Sequence, residues 1–291
     1  MDTRRKPDWL KIRLPHTFNF TTVDKILKRY ELHTICVSGK CPNLGECWDA
    51  GTATIMILGE ICTRACKFCA VKTGKPLPPD PAEPQKVANA IKELNLKHVV
   101  LTSVDRDDLP DKGATHWAAV VRAIHETTPE VTIETLIPDF DAIEELLQKV
   151  IDQKPDIISH NLETVERITP LVRSRATYSR SLQVLEYIAK SGTVAKSGIM
   201  VGLGETKDEV LKTMDDLLNA GVSILTIGQY LQPTPKHYPV HEYVHPDIFE
   251  FYREEGLKKG FEFVESAPLV RSSYHAEKQV RHKEKIKLSE L

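Results

Sequence analysis

The 291-residue sequence lacks three features that would each point to a familiar class of protein. It has no excess of charge, because 39 Lys and Arg residues nearly balance 41 Asp and Glu residues, and a general phosphate-backbone binder needs a basic excess. Its longest apolar runs, such as Thr52–Leu58, are far too short to cross a bilayer. Met1–Leu10 has charges and a proline but no apolar stretch behind them, unlike a secretory signal. We therefore expect a cytoplasmic protein without nucleic-acid or membrane partners.

Cysteine is missing from the whole chain beyond residue 69, and the six cysteines present all fall between residues 36 and 69. A disulfide scaffold would distribute its cysteines to connect distant loops, and it belongs to small secreted proteins. Six thiols crowded into one segment of a cytoplasmic chain indicate metal ligands instead. They form a first triad and a second triad, which are Cys36, Cys41 and Cys47, and Cys62, Cys66 and Cys69.

The spacing of the triads favours iron–sulfur clusters but leaves zinc as an alternative. The second triad contains a C-x2-C step that zinc sites also use, and His33 or His16 could complete the first triad. Closed structural zinc sites usually pair two short Cys/His steps, and neither triad shows that pairing. A cubane is normally held by four thiolates. Three thiolates for each cluster would leave one iron of each without a cysteine.

Short, nearly continuous apolar runs rich in Val, Ile and Thr alternate with amphipathic stretches along the rest of the chain. The runs are typical of strands buried on both faces, and the predicted strands are Thr54–Leu58, His98–Ser103, Val131–Ile137, Ile157–Asn161, Val194–Val201 and Ile224–Tyr230. The predicted helices are Pro84–Leu94, Trp117–Glu126, Asp141–Gln153, with Asp141 as its N-cap, Ser179–Ser191, Lys207–Ala220 and Pro246–Lys259. Six βα units predict an α/β fold with a parallel sheet, in the form of a partial (β/α)6 barrel. Its chemistry should collect at the carboxyl ends of the strands, where the second triad lies.

Several motifs carry a resemblance to a known family. The segment CTRACKFC (Cys62–Cys69) resembles the C-x3-C-x2-C signature of radical S-adenosylmethionine (SAM) enzymes, which share a partial six-stranded barrel, and Phe68 stands at the usual aromatic position. The segment CVSGKCPNLGECW (Cys36–Trp48) resembles the auxiliary-cluster motif of lipoyl synthases. The segment RSSYHAE (Arg271–Glu277) is similar to the C-terminal motif of that family, in which the second serine, here Ser273, is the fourth ligand of the auxiliary cluster.

The resemblance implies an activity and its cofactors. Two [4Fe–4S] clusters and SAM would insert two sulfur atoms at C6 and C8 of a protein-bound octanoyl-lysine to form lipoyl-lysine, with the auxiliary cluster as the sulfur source. A saturated C–H group offers no acidic proton and no electrophilic centre, so a cofactor must supply the reactive atom. The implied partners are octanoylated lipoyl-accepting domains such as the H protein or a 2-oxo-acid dehydrogenase E2 subunit, a reduced flavodoxin or ferredoxin-type electron donor, and an iron–sulfur cluster carrier.

The same resemblance divides the chain and its candidate residues. Residues 1–51 would form an extension with the auxiliary-cluster cysteines, residues 52–245 the radical SAM barrel, and residues 246–291 an extension with Ser273. The catalytic residues would be Cys62, Cys66, Cys69 and Ser273, and all six cysteines with Ser273 would be metal ligands. The expected cofactor-binding residues follow from position: Phe68 precedes the last cysteine of the second triad, and the others are expected at the carboxyl ends of the predicted strands or in the loops after them, namely Thr102, Asn161, Glu163, Lys196, Gly202, Gly204 and Glu205. Polar groups at strand ends also hydrogen-bond ordinary loops, and two glycines before a helix also occur in ordinary connections.

Two other interpretations remain open. One is a different dual-cluster radical SAM enzyme that inserts sulfur, although a methylthiotransferase would normally add a nucleic-acid-binding domain and a biotin synthase would lack the first triad. The other is a protein without catalysis, either an iron–sulfur electron carrier or a zinc-stabilised interaction module. An electron carrier needs fully ligated clusters and has no use for a barrel with a polar rim.

Overall fold

The structure is a computed structural model that describes residues 5–11, 18–49, 53–274 and 276. In these ranges it contains ten strands: β1 (His33–Thr34), β2 (Thr54–Ile57), β3 (Ile61–Cys62), β4 (Lys72–Thr73), β5 (His98–Ser103), β6 (Thr132–Leu136), β7 (Ile157–Ser159), β8 (Val194–Val201), β9 (Ile224–Gln229) and β10 (Phe263–Ser266). Eight of them form one sheet in the order β1-β2-β5-β6-β7-β8-β9-β10, and β3 pairs with β4.

The sheet is the partial barrel that the sequence predicts, with an extra strand at each edge. From β2 to β10 all neighbouring strands are parallel, and β1 runs antiparallel to β2. The strand order starts at β1 and ends at β10, and no pairing joins those two edges in the part of the chain described. The fold is therefore α/β with an open, mostly parallel sheet. The two edge strands were not predicted, because β1 has only two residues and β10, which contains Glu265 and Ser266, is not a continuous apolar run.

The helices of the described residues are α1 (Phe18–Arg29), α2 (Ile35–Ser38), α3 (Leu44–Asp49), α4 (Glu83–Glu93), α5 (Ala114–Thr127), α6 (Glu144–Ile151), α7 (Thr169–Val172), α8 (Tyr178–Lys190), α9 (Lys207–Asn219) and α10 (Pro246–Lys259). Six of them, α4 to α6 and α8 to α10, correspond to the predicted helices. The predicted N-cap Asp141 is wrong. Asp141 has a φ of 54° within the 3-10 turn Phe140–Ala142, and its backbone N–H donates to the side chain of Asp139, the N-cap of that turn.

The strands and helices enclose one main core. All six residues of β9 are buried, as expected for a central parallel strand covered on both faces. Trp117 of α5 is fully buried against the sheet, and its indole N–H donates to Ser103 Oγ at 3.2 Å. No helix within the described ranges is long and apolar enough to span a membrane.

The two chain ends contribute to the same sheet as the barrel. β1 lies in the predicted N-terminal extension and β10 in the predicted C-terminal extension. A small separate core joins α1 to α3, where Val23 and Leu27 pack with Trp48. The division into residues 1–51, 52–245 and 246–291 stays a prediction.

Candidate active site

One cavity of about 350 Å³ lies at the carboxyl ends of the parallel strands. Its lining includes all three cysteines of the second triad and two cysteines of the first triad, Cys36 and Cys41. Ser273, from the other end of the chain, lines it as well. In the described residues no three His, Cys, Asp or Glu side chains surround a point that could hold a single metal ion. The cavity therefore brings together cysteines and a serine from three distant parts of the sequence.

The second triad lies on a loop that begins at the end of β3. The Cys62 sulfur accepts hydrogen bonds from the backbone N–H groups of Arg64 at 3.4 Å and Asp105 at 3.3 Å. The Cys66 sulfur lies 3.6 Å from Ser174 Oγ. The backbone carbonyl of Cys69 is 3.0 Å from His237 Nε2 and accepts its hydrogen. The loop is thus anchored to residues that follow β5, β7 and β9.

Burial decides the protonation of these thiols. It raises the pKa of Cys62 to about 12, and the neighbouring Asp105 carboxylate adds to the rise. Burial also raises the pKa of Cys69 to about 11. Both groups are neutral thiols near pH 7 without a cation. A coordinating thiol is deprotonated by the charge of the metal it binds.

Arg64 fixes the second triad from within the loop. Its guanidinium, almost completely buried, donates to both carboxylate oxygens of Asp107 at 2.8 and 2.9 Å, and to Asp139 at 2.7 Å. It also lies 3.3 Å from Asp105. Although burial alone would raise the pKa of Asp139, the hydrogen bond and charge of Arg64 lower it below its ordinary value. Asp105 keeps a pKa raised to about 6, because burial outweighs the Arg64 charge there.

The first triad lies on two short helices and on the segment between them, which carries Cys41. Cys36 is in α2, which Thr34 caps by accepting from the Val37 N–H at 3.3 Å, and Cys47 is in α3. Burial raises the pKa of both Cys36 and Cys41, and the charge of Arg271 opposes the rise at Cys41. Cys36 and Cys41 are among the described residues that line the cavity, and Cys47 of the first triad is not.

The C-terminal segment is held near the first triad by three side-chain hydrogen bonds, which involve Asn43, Thr54 and Glu46. Asn43 Nδ2 donates to the Leu269 carbonyl at 2.7 Å. Thr54 Oγ1 donates to Ser273 Oγ at 2.8 Å, and the Tyr274 hydroxyl donates to Glu46 Oε1 at 2.9 Å. The first triad together with Ser273, which we name the terminal site, is therefore assembled from both ends of the chain.

Four of the eight predicted cofactor-binding residues line the cavity: Phe68, Thr102, Asn161 and Glu163. Asn161 Oδ1 is buried and has no hydrogen-bond partner among the described residues. Burial raises the pKa of Glu163, and the Arg173 guanidinium opposes the rise. The cavity thus presents an unpaired acceptor and a carboxylate side by side.

Lys196 does not reach the cavity. It is the third of eight residues in β8, far from the carboxyl end of that strand, and its side chain is fully buried. Its ammonium donates to both oxygens of Glu134 at 2.8 and 2.9 Å, and the Ser159 hydroxyl donates to the same carboxylate at 2.9 Å. Burial lowers the pKa of Lys196, and the Glu134 charge opposes this. The expectation that Lys196 contacts the cofactor placed it at a strand end, and that placement is wrong.

The predicted Gly202–Glu205 loop is also absent from the described lining of the cavity. The Glu205 carboxylate accepts from the backbone N–H groups of Gly202 at 2.6 Å and Leu203 at 2.9 Å. A Cβ at Gly202 would lie 2.2 Å from the Gln229 side chain, so glycine is required there by close packing. In this position Gly202, Gly204 and Glu205 shape a connection to α9.

Sequence reasoning missed Arg64 as the centre of the site. The acidic residues after β5 and β6 gave a partial signal, since parallel strands carry polar groups at this edge. The pairing of Arg64 with carboxylates from two different strands depends on the folded sheet. Arg173 also lines the cavity, and its charge opposes the rise in the pKa of Glu163.

Known proteins share the fold of this chain. Residues 56–217 match the Radical SAM superfamily. Methylornithine synthase (PylB) has a TM-score of 0.55 at 13% identity, over 72% of this chain and 70% of that chain. SuiB of Streptococcus suis, bound to S-adenosylmethionine, has a TM-score of 0.56 at 12% identity, over 78% and 54%. At such identities the likeness shows the fold alone, and the fold with its cysteine loop defines a radical SAM protein.

More similar relatives narrow the class. The lipoyl synthase of Parabacteroides distasonis is 63% identical over 276 residues, which are 95% of this chain and 98% of that protein. The lipoyl synthase of Treponema denticola is 61% identical over 277 residues, 95% and 96% of the two chains. The chain belongs to the lipoyl synthase family, and the resemblance identified from its motifs is confirmed. Its cofactors are those of that family, SAM and two [4Fe–4S] clusters.

The residues of this structure fit those groups. The second triad offers three thiols at one end of the cavity, and the hydrogen bonds to the Cys62 sulfur suit a thiolate. The unpaired Asn161 Oδ1 suits a ligand that donates hydrogen bonds, as an ammonium or hydroxyl group does. A Cβ at Gly198 would lie 2.6 Å from Thr226 Oγ1, and a Cβ at Gly228 would lie 2.1 Å from the Val270 carbonyl oxygen. These two positions in the cavity wall therefore have room for glycine only.

Proposed function

We propose that the protein inserts two sulfur atoms at C6 and C8 of an octanoyl chain attached to a lysine of a lipoyl-accepting protein. Membership of the lipoyl synthase family sets the reaction class, and one observation supports the assignment to residues. The cavity is lined both by the second triad and by Cys36, Cys41 and Ser273 of the terminal site. A substrate chain in this cavity can therefore reach both sets of ligands.

The ligand assignments are part of the proposal. Cys62, Cys66 and Cys69 would hold the cluster that binds SAM, and the terminal site would hold the auxiliary cluster. Three thiolates leave one iron without a protein ligand, which is the position a small-molecule chelate needs. At the terminal site the Ser273 oxygen would occupy the corresponding place, and the lining of one cavity by both Ser273 and Cys36 supports this assignment.

The chain's own residues would bind and orient SAM and keep water out. Asn161 Oδ1 and the Glu163 carboxylate would accept hydrogen bonds from its ammonium or ribose groups, Thr102 would add a hydroxyl, and Phe68 an apolar contact. When bound, the clusters and SAM supply the hydrogen-abstracting radical chemistry and the sulfur. The protein must place the reacting C–H bond and exclude solvent.

The proposed partners follow from this reaction. Octanoylated H protein or an octanoylated E2 subunit would be the substrate, a reduced flavodoxin or ferredoxin-type protein the electron donor, and an iron–sulfur carrier the source of new clusters. The cytoplasmic location predicted from the sequence stays a prediction.

The test is mass spectrometry of an octanoyl-lysine peptide after anaerobic incubation with the reconstituted protein, SAM and a reductant. We expect one hydrogen to be removed from C6 and one from C8, each with release of one 5′-deoxyadenosine. The product in its disulfide form should therefore be heavier than the peptide by two sulfur atoms less two hydrogen atoms. Protein that releases 5′-deoxyadenosine but adds no sulfur would overturn the proposed substrate.

Two matched variants separate the two sets of ligands. Cys62→Ala is expected to abolish both 5′-deoxyadenosine release and sulfur insertion. Cys36→Ala is expected to abolish sulfur insertion alone. Sulfur insertion by the Cys36→Ala variant would contradict the role of the terminal site.

A further inference from the structure

Thr54 connects the two halves of the terminal site. It is the first residue of β2 and is buried, and its hydroxyl donates to Ser273 Oγ at 2.8 Å. Its backbone lies close enough to the Cys36 thiol to oppose part of the rise in the pKa of Cys36 that burial causes. One residue thus contacts a ligand from each end of the chain.

The strand on which Thr54 lies is rigidly placed. Thr54 pairs with Val100 of β5, and the next residue, Ile55, pairs with Thr34 of β1. Thr34 also caps α2, the helix that carries Cys36. The Thr54 hydroxyl is therefore fixed relative to Cys36 by the sheet and not by the C-terminal segment.

We propose that Thr54 is a positioning residue of the terminal site, whose hydroxyl holds the Ser273 oxygen at a fixed distance from Cys36. The proposal rests on the proposed function, in which Ser273 is the fourth ligand of the auxiliary cluster. Thr54 acts through Ser273 and does not itself bind the cluster.

The direction of the hydrogen bond suits this role. Thr54 is the donor and the Ser273 oxygen the acceptor, so the contact persists when the same oxygen bonds to iron through another lone pair. A serine side chain has three staggered rotamers. The bond to Thr54 selects one of them before the cluster arrives, which reduces the ordering cost of the fourth ligand.

The test uses full-length protein in which Cys62, Cys66 and Cys69 are replaced by alanine, so that only the terminal site can load a cluster. Into this background we would place Thr54→Val, which keeps the β-branched shape but removes the hydroxyl, and Thr54→Ser, which keeps the hydroxyl. Thr128→Val is the matched control, because Thr128 is also buried and its hydroxyl donates only to a carbonyl, that of Ile124, at 3.1 Å. Thr54→Ala is the second route if the valine variant does not fold.

The readouts are the rate of iron loss to a chelator and the Mössbauer spectrum of the cluster. With Thr54→Val we expect iron loss roughly tenfold faster, in line with the loss of a hydrogen bond to a charged group, and an altered signal from the serine-bound iron. Thr54→Ser and Thr128→Val should stay within about twofold of the background. Equal rates and spectra for Thr54→Val and the background would overturn the role of Thr54 alone. A background protein that binds no cluster would instead overturn the proposed function, and the inference with it.

Discussion

The two sets of cysteines are held in opposite ways. The second triad lies within one loop, and a single buried guanidinium, that of Arg64, joins this loop to the residues after β5 and β6. The terminal site is assembled from two chain ends by neutral or partly exposed hydrogen bonds, those of Asn43, Thr54 and Tyr274. We therefore expect the first arrangement to be the more costly to disturb.

The two kinds of anchoring suit the two different clusters proposed to face one cavity. A cluster that must survive repeated reactions needs ligands fixed by the core of the fold. A cluster proposed to give up its sulfur needs ligands that can be released and filled again. The two kinds of anchoring match these two needs, and the following variants test the match.

Breaking the first arrangement should have the largest effect. Arg64→Gln leaves three buried or partly buried carboxylates without their shared cation, so we expect the free energy of unfolding to fall by about 3 to 5 kcal/mol. Urea unfolding of the iron-free protein measures it. Arg167→Gln is the control, since its ion pair with Glu209 is exposed, and it should leave the urea midpoint unchanged. A similar small effect for both variants would contradict the role of Arg64.

Acid should weaken the same region through His160. Burial lowers the pKa of His160 to about 4 from its ordinary value of 6.5, and the Arg173 charge adds to this. Its ring lies 2.9 Å from both the Ile137 carbonyl and the Ser181 hydroxyl, and Ser181 accepts from Arg173 at 2.8 Å. The Ser181 hydroxyl can therefore donate its hydrogen to the ring nitrogen of a neutral His160.

The sign of the effect follows from proton binding. The unfolded chain holds this proton more tightly than the native protein does, so the stability from neutral His160 is complete above about pH 6.5 and is lost as the pH falls towards 4. The loss amounts to about 3 kcal/mol. Urea unfolding across that range should show a smaller pH dependence for His160→Gln than for the unaltered protein. Identical pH dependence would contradict the assignment.

Breaking the second arrangement should have a smaller effect on stability. Asn43→Ala leaves the Leu269 carbonyl without its side-chain donor, which costs about 1 to 3 kcal/mol. We expect iron to leave the terminal site faster while the second triad keeps its iron, as measured by chelator kinetics in cysteine variants that load one cluster at a time. Equal acceleration at both sites would erase the contrast between them.

The smallest effect is expected from Tyr274→Phe. The Tyr274 hydroxyl donates to Glu46, an exposed side chain, so water can replace the lost partner. The change in the free energy of unfolding should be about 0.5 kcal/mol. A decrease in the free energy of unfolding as large as that of Asn43→Ala would contradict this expectation. It would show that the hydrogen bond from Tyr274 to Glu46 stabilises the C-terminal segment more than its exposure indicates.

Much of the fold could be predicted from local pattern. The six central strands are short apolar runs because they are buried on both faces, and this signal survives without any partner in view. The 3-10 turn at Phe140–Ala142 could not be predicted, because Asp141 after a strand and before an apolar helix has the pattern of an N-cap. In the folded chain Asp139 caps the 3-10 turn, α6 begins after Ile143 without a side-chain cap, and Asp141 faces Arg175 and Lys112.

The site residues that belong to motifs of characteristic spacing could be predicted. The ion pairs that form only when separate strands come together in the sheet could not. The triads and Ser273 form motifs that can be recognised from their residues. The buried pair of Lys196 with Glu134 requires two strands from separate βα units to lie on either side of β7, where Ser159 is the register partner of Lys196. The same holds for Arg64 with Asp139. Such long-range ion pairs leave no mark in a single sequence.

The most direct test of the central claim is a crystal structure of the anaerobically reconstituted protein with SAM bound. We predict one cluster on Cys62, Cys66 and Cys69 and a second on the terminal site, with both facing the same cavity. A structure in which protein walls separate the two clusters, or in which Ser273 points away from the second one, would contradict it.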